Sequence, residues 1–302
     1  MARLKLLLSN RNLIFLLALG LGLLFPQAVP AARHLVLPAL ALAMVLSTLD
    51  VGDDLFLRPR ALLFPALMGI LMSYVLHGNV IIGLSTLLIA DEAIWTGFVL
   101  LAAVPPAIAV IPFSGFLRGN SHFSLLGTVG AYLGALAIMP LIAFTLLRSA
   151  TFDPFRLILI ILELVVLPLA VSRLLIRKGW KERIFPIRGP VTNWCFFLVL
   201  YALVGLNREM ILGRTTVLFP IVAITFLSMF VLGLLIDWVS GLFHLPRDTR
   251  TSLVLLGTLK NQGVAGGLAL TLFGQEAALP AAVSTMVMIV YIIWLDFKKR
   301  WD

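Results

Sequence analysis

The sequence predicts an all-α membrane protein of ten transmembrane helices, built as two five-helix halves of opposite orientation. Three observations carry this. First, 61% of the 302 residues are hydrophobic and only 12% are charged, where soluble domains carry about a quarter charged residues. Second, the apolar runs divide into ten stretches near the roughly 20 residues that a spanning helix needs. Third, the basic residues of successive connections alternate between rich and poor.

The ten stretches are, roughly, 11–29, 34–51, 60–87, 92–118, 121–149, 154–177, 187–207, 215–243, 247–274 and 278–298. The first mimics a secretory signal, with Arg3 and Lys5 ahead of an apolar run and then "QAVPAAR". The alternation nevertheless needs it as a span. Of the 23 Lys and Arg, 17 fall on one set of connections and 5 on the other, with Lys260 inside a span. That bias puts both termini in the cytoplasm of a cell with the protein in its inner membrane. The longest basic connection, "RLLIRKGWKERIFPIRG", lies near the middle of the chain. Five helices on each side of the middle give halves 1–151 and 152–302 of opposite orientation, because five is odd. Inverted halves are the usual construction of secondary transporters.

Composition also excludes much. A single cysteine, Cys195, leaves no disulfide framework, and His34, His77, His122 and His244 show no ligand spacing. No metal and no cofactor are expected. The net charge of +9 would suggest nucleic acid in a soluble protein. Here basic loops set topology, so the partners expected are the lipid bilayer and a small solute.

Two spans in equivalent places of the two halves are interrupted. The fourth carries "VPPAIAVIPFSG" and the ninth carries "GTLKNQGVAGG". Pro105 and Pro106 remove backbone donors. Gly263, Gly266 and Gly267 allow close approach of another backbone. A broken helix frees backbone polar groups that hydrocarbon does not satisfy, so the break faces protein, water or solute. The freed N-terminus of the second half-helix suits an anion, and the freed carbonyls of the first suit a cation. Matched breaks of this kind mark a mid-membrane binding site.

These stretches resemble the bile acid:sodium symporter family, over nearly the whole chain. In bacterial members the fourth helix reads like "CPGGTASNVMTYLARGN"; here "VPPAIAVIPFSGFLRGN" stands in register and ends in the same Arg118, Gly119 and Asn120. The ninth reads like "EVGMQNSGLA"; here "LGTLKNQGVA" matches at Asn261, Gly263 and Ala265. The approach "LPRDTRTSL" is similar to the family's "LP-D---AL". The resemblance implies a panel of helices 1, 2, 6 and 7 and a core of helices 3–5 and 8–10, with helices 4 and 9 crossing at their unwound centres. It also implies carriage of bile acids or smaller organic anions with sodium. The family's sodium ligands depart here. The fourth-helix Ser-Asn pair falls on Val110 and Ile111, the ninth-helix Glu on Leu256 and its Gln on Lys260, and the third-helix Gln near Ser73. Only Ser124 and Thr128 keep oxygen ligands. Sodium-independent carriage follows as the expectation.

Lys260 then has three readings. It is a tethered cation in the sodium-site region, held by carbonyl ends, Ser124 and Thr128. Or it is a proton carrier. Or it snorkels to the interface, which its depth in the ninth span disfavours. Substrate contacts implied by the resemblance are Asn261, Thr258, Gln262 and Ser114, with Ala107 and Ile108 making the pocket more apolar. Glu163, in "ILIILELVVLPL", is a candidate coupling acid. Asp237 reads as interfacial, and Asp50 to Asp54 and Asp91–Glu92 as solvated loops.

The leading expectation is a carrier of a small amphipathic organic anion by alternating access. A non-transporting sensor is the alternative of a different class. An intramembrane enzyme such as a prenyltransferase is disfavoured: "DVGDD" has no second Asp-rich partner for magnesium-diphosphate, and no HExxH or Ser/His/Asp arrangement exists.

Overall fold

The computed structural model of the chain describes residues 11–49, 59–147, 155, 159, 162–213 and 215–301. Among them the backbone is nearly all helical, with no strand and one isolated β-bridge. The acidic run Asp50 to Asp54 and the junction at 151–152 lie outside the described residues.

Helices follow the apolar runs because, away from water, a backbone must pair its own N–H and C=O groups. α1 (Arg11–Leu24) stops before Pro26, and the chain turns through 87° toward α2 (Val29–His34). α3 (Val36–Thr48) follows. α4 (Pro59–Ile70) and α5 (Asn79–Leu88) are joined by a π-helical segment, Leu71–Gly78. α6 (Glu92–Ala103) and α7 (Val110–Phe116) are the two pieces of the interrupted fourth span, and α8 (Ser121–Leu146) is continuous. A π turn, Leu162–Val166, leads into α9 (Leu167–Arg177), then α10 (Lys181–Leu206) and α11 (Arg208–Gly213). α12 (Thr215–Phe226) and α13 (Leu232–Leu242) are joined by a third π segment, Leu227–Val231. α14 (Arg247–Leu256) and α15 (Gln262–Leu272) are the pieces of the interrupted ninth span, and α16 (Gln275–Trp301) closes the chain.

Among the described residues, five helical stretches are long and apolar enough to cross a membrane alone, and a sixth is so if the bent pair α1–α2 is one span. The sequence led us to expect ten. The interrupted spans account for part of the difference. α6 and α15 are apolar but have 12 and 11 residues, too short by themselves for a hydrocarbon core about 30 Å thick. α3, with 13 residues, is short as well.

Polar caps start several helices. Asp91 Oδ1 accepts from Ile94 N at 2.9 Å, and Asn120 Oδ1 from Phe123 N at 2.9 Å. Asp91 is exposed, as a loop acid would be, and is also the cap of α6. Asn120 further ties the start of α8 to α14: its N–H donates to Asp248 O at 3.0 Å, and Ser252 Oγ donates to its carbonyl at 3.0 Å.

The helices pack in two groups. α1, α2, α3 and α9 pack with α10 or α3, while α4 lies along α8, α6 and α12 along α16, and α13 against α14. Where α4 meets α8, a Cβ at Gly69 would fall on the backbone of Gly127, so only small residues permit this approach. The groups meet where α3 and α10 face α15 and α10 faces α16. Gly263, Gly266 and Gly267 lie at that meeting. Contrary to expectation they face side chains rather than a backbone: Leu203 for Gly266, and Leu40 for Gly263 and Gly267.

Candidate functional site

Both interruptions leave the helix where the sequence has proline or glycine. α6 ends at Ala103, ahead of Pro105 and Pro106, and α14 ends at Leu256, ahead of Gly257. The two non-helical stretches cross antiparallel. Ala107 N donates to Leu259 O at 3.0 Å, and Asn261 N donates to Pro105 O at 3.0 Å, with Pro106 opposite Lys260. Backbone groups released by one break therefore pair with groups released by the other. Pro105 and Pro106 are buried in the crossing.

Lys260 is fully buried there. Its Nζ donates to Ser73 Oγ at 3.0 Å, Ala102 O at 2.7 Å and Val104 O at 2.9 Å. In its ammonium form a lysine has three N–H donors, which is the number of acceptors that surround this Nζ. Ala102 and Val104 lie at the C-terminal end of α6, where carbonyls without helical partners carry partial negative charge. The Nζ also sits 4.6 Å from the centroid of the Tyr74 ring, a distance at which a ring face attracts a cation. Ser73, Tyr74 and His77 all come from the π-helical segment between α4 and α5. Such irregular turns concentrate at functional sites. His77 is buried, and neither ring nitrogen has a hydrogen-bond partner among the described residues.

Ser124 and Thr128 do not hold the lysine. Both are buried on α8, yet their hydroxyls have no hydrogen-bond partner among the described residues. Snorkelling is excluded by the complete burial of Lys260.

A small cavity of about 40 Å³ lies beside the crossing. Ala107 and Ile108 line it from the first break, and Asn261, Gln262 and Gly263 from the second. Phe15 of α1 and Phe196 of α10 close the opposite side. Asn261 is the cap of α15, accepting from Val264 N at 3.2 Å, and its Nδ2 donates to Tyr132 OH at 2.8 Å. Gln262 Nε2 is buried and has no hydrogen-bond partner among the described residues. It is an open donor at the cavity wall, next to the positive end of α15. The volume suits about one water. Sites for small organic ligands are about 300–1,000 Å³, well above the volume found here.

Thr258 and Ser114 do not line this cavity. Thr258 Oγ1 donates to Val254 O at 2.7 Å along α14, and Ser114 Oγ lies 3.1 Å from Ser252 Oγ, tying α7 to α14. Glu163 is exposed on the π turn Leu162–Val166 and is not among the cavity residues. Asp237 accepts from Arg250 at 2.8 Å and from Lys298 at 3.0 Å. The sequence reading missed Tyr74, His77, Tyr132, Phe15 and Phe196. A signal existed for the first two: Ser73 and Tyr74 are adjacent, and His77 lies about one turn further on, in "LMSYVLHG" inside an apolar span.

A family model described as "Sodium Bile acid symporter family" matches residues 34–214. The chain is 26% identical over 255 residues to a protein of Oryza sativa subsp. japonica named "Probable sodium/metabolite cotransporter BASS3, chloroplastic", covering 80% of this chain and 59% of that one. An Arabidopsis thaliana protein of the same name is 24% identical over 275 residues, covering 88% of this chain and 62% of its own length. The chain thus spans about three fifths of the length of these relatives.

Proposed function

This chain belongs to the sodium bile acid symporter family, and we propose that it is a secondary carrier of a small amphipathic organic anion, with Lys260 standing as a tethered cation where relatives hold sodium. The observation that carries this reading is the lysine's three hydrogen bonds at the crossing, to Ser73 and the carbonyls of Ala102 and Val104. Those acceptors are neutral oxygens of the kind a sodium ion would take. An ammonium held there supplies the positive charge without an ion, so carriage is not sodium-coupled.

The architecture we propose is ten spans in inverted halves, 1–151 and 152–302. Helices 1, 2, 6 and 7 form a panel that moves against a core of helices 3–5 and 8–10. Support comes from the two packing groups, from the matched breaks, and from π segments in the third and eighth expected spans, Leu71–Gly78 and Leu227–Val231. The substrate set is Asn261 and Gln262 for the anionic end, with Ala107 and Ile108 against the apolar body. Alternating access opens the cavity by parting α1 and α10 from the crossing. The excess of Lys and Arg on one set of connections supports an inner membrane with both termini cytoplasmic.

The test is uptake of a panel of monocarboxylates into proteoliposomes, with sodium or with potassium. Uptake of at least one, equal in the two salts, is expected, with Gln262→Ala weakening it. No uptake or binding of any monocarboxylate, under conditions where a sodium-dependent relative works, refutes the reading.

His77 motivates a second reading. A buried imidazole without hydrogen-bond partners among the described residues, one turn from the Ser73 that binds Lys260, suits a proton-coupled carrier. In that case Lys260→Gln flattens the pH dependence of uptake. In the tethered-cation reading it lowers stability and leaves the pH profile of the residual uptake unchanged.

A further inference from the structure

A second cavity lies away from the crossing. It encloses about 480 Å³ between α13, α14, α16 and the turn after α7, and none of its lining residues lines the cavity beside Lys260. Arg118, Arg247, Arg250 and Lys298 line it, with Asp237 as the acid among them. That carboxylate is fully committed. Its Oδ1 accepts from Arg250 Nε at 3.1 Å and Nη2 at 2.8 Å, and its Oδ2 accepts from Lys298 Nζ at 3.0 Å. Two cations share that one carboxylate, and Arg118 adds a further positive charge to the described lining, so the cavity is cationic. Arg118 sits in the left-handed region, at φ 56°, in a position past a helix end usually given to glycine.

Apart from Thr251 the rest of the wall is apolar, and its α13 side leads out of the protein. Leu234 lines the cavity and is also 43% exposed, and beside it Leu235, Trp238 and Leu242 of α13 are exposed. A cationic cavity that opens onto an apolar helix face is complementary to one kind of molecule, an amphiphile with an anionic head. Basic pockets between membrane helices recognise lipid headgroups in this way. A soluble anion would gain nothing from the α13 face. We infer that this cavity holds the phosphate headgroup of an anionic phospholipid, with its acyl chains along Leu234, Leu235, Trp238 and Leu242. The site is independent of the transport reading.

The test uses the full chain, stripped of lipid in mild detergent, probed with phosphatidylglycerol, phosphatidylcholine and inorganic phosphate. Native mass spectrometry reads retention and thermal unfolding reads Tm. Phosphatidylglycerol is expected to stay bound and raise Tm, and the other two probes are expected to do neither. Arg118→Gln weakens phosphatidylglycerol binding about fivefold. Asp237→Asn releases Arg250 and Lys298 toward the headgroup, so binding tightens, whereas loss of a merely structural ion pair lowers Tm without tightening anything. Equal retention of phosphatidylcholine, or unchanged affinity in both variants, overturns the site. A Tm shift with inorganic phosphate as large as that with phosphatidylglycerol overturns the lipid assignment in favour of a soluble anion.

Discussion

Lys260 and Asp237 both interrupt apolar helical stretches, and the chain holds them by different means. Lys260 has no exposure and is bound by a hydroxyl, two backbone carbonyls and an aromatic face. The Asp237 side chain is 29% exposed and is shared by two cations. Deep in the protein a carboxylate partner would have to be desolvated as well, which often outweighs the attraction gained. The break at the end of α6 already presents carbonyls that have lost their helical donors, so the lysine uses acceptors that the fold must satisfy anyway. At the end of the bundle water shares the solvation, and an ion pair forms at little cost. The lesson is that a helix break serves as a neutral counter-ligand for a cation.

Four measurements break or sharpen this contrast. The largest effect is expected from Lys260→Ala, which strands the carbonyls of Ala102 and Val104 and leaves a void. Unfolding in detergent should show a loss of about 3–5 kcal/mol, and wild-type stability in this variant would remove the lysine from the centre of the account. Ser73→Ala deletes one of three acceptors and should cost about 1–2 kcal/mol. Asp237→Asn breaks a partly exposed pair, and a loss below about 1 kcal/mol is expected that shrinks as salt is raised. The Lys260→Ala loss should be indifferent to salt, and a matching salt dependence would erase the distinction between the two sites. Finally, exchanging potassium for sodium should leave the Tm of the wild type unmoved.

The helix breaks were legible from local pattern. Two adjacent prolines, or a lysine, asparagine and glutamine among glycines, do not continue an apolar helix, and they sit where α6 and α14 stop. The burial of Lys260 was legible from its depth in the ninth span. Its partners were not. Ser73 lies 187 residues away and Ala102 158 residues away, and no local periodicity encodes which carbonyl faces which ammonium. Register along the break decided the other misses. Asn261 and Gln262 turn toward the cavity, while Thr258, three residues earlier, is still bonded to α14. Ser124 and Thr128 kept the residue types of ligands, yet their hydroxyls have no hydrogen-bond partner among the described residues.

By itself the sequence determined that this chain lives in a bilayer, where it breaks its helices, and that one break carries a lysine, because hydrophobicity and backbone chemistry act through neighbours in the chain. Only the tertiary structure decided what the cation binds, which amides face the cavity, and that four basic side chains share a second cavity with one acid. Those outcomes depend on how distant helices dock and rotate against one another, and a few degrees of rotation exchange one partner for another.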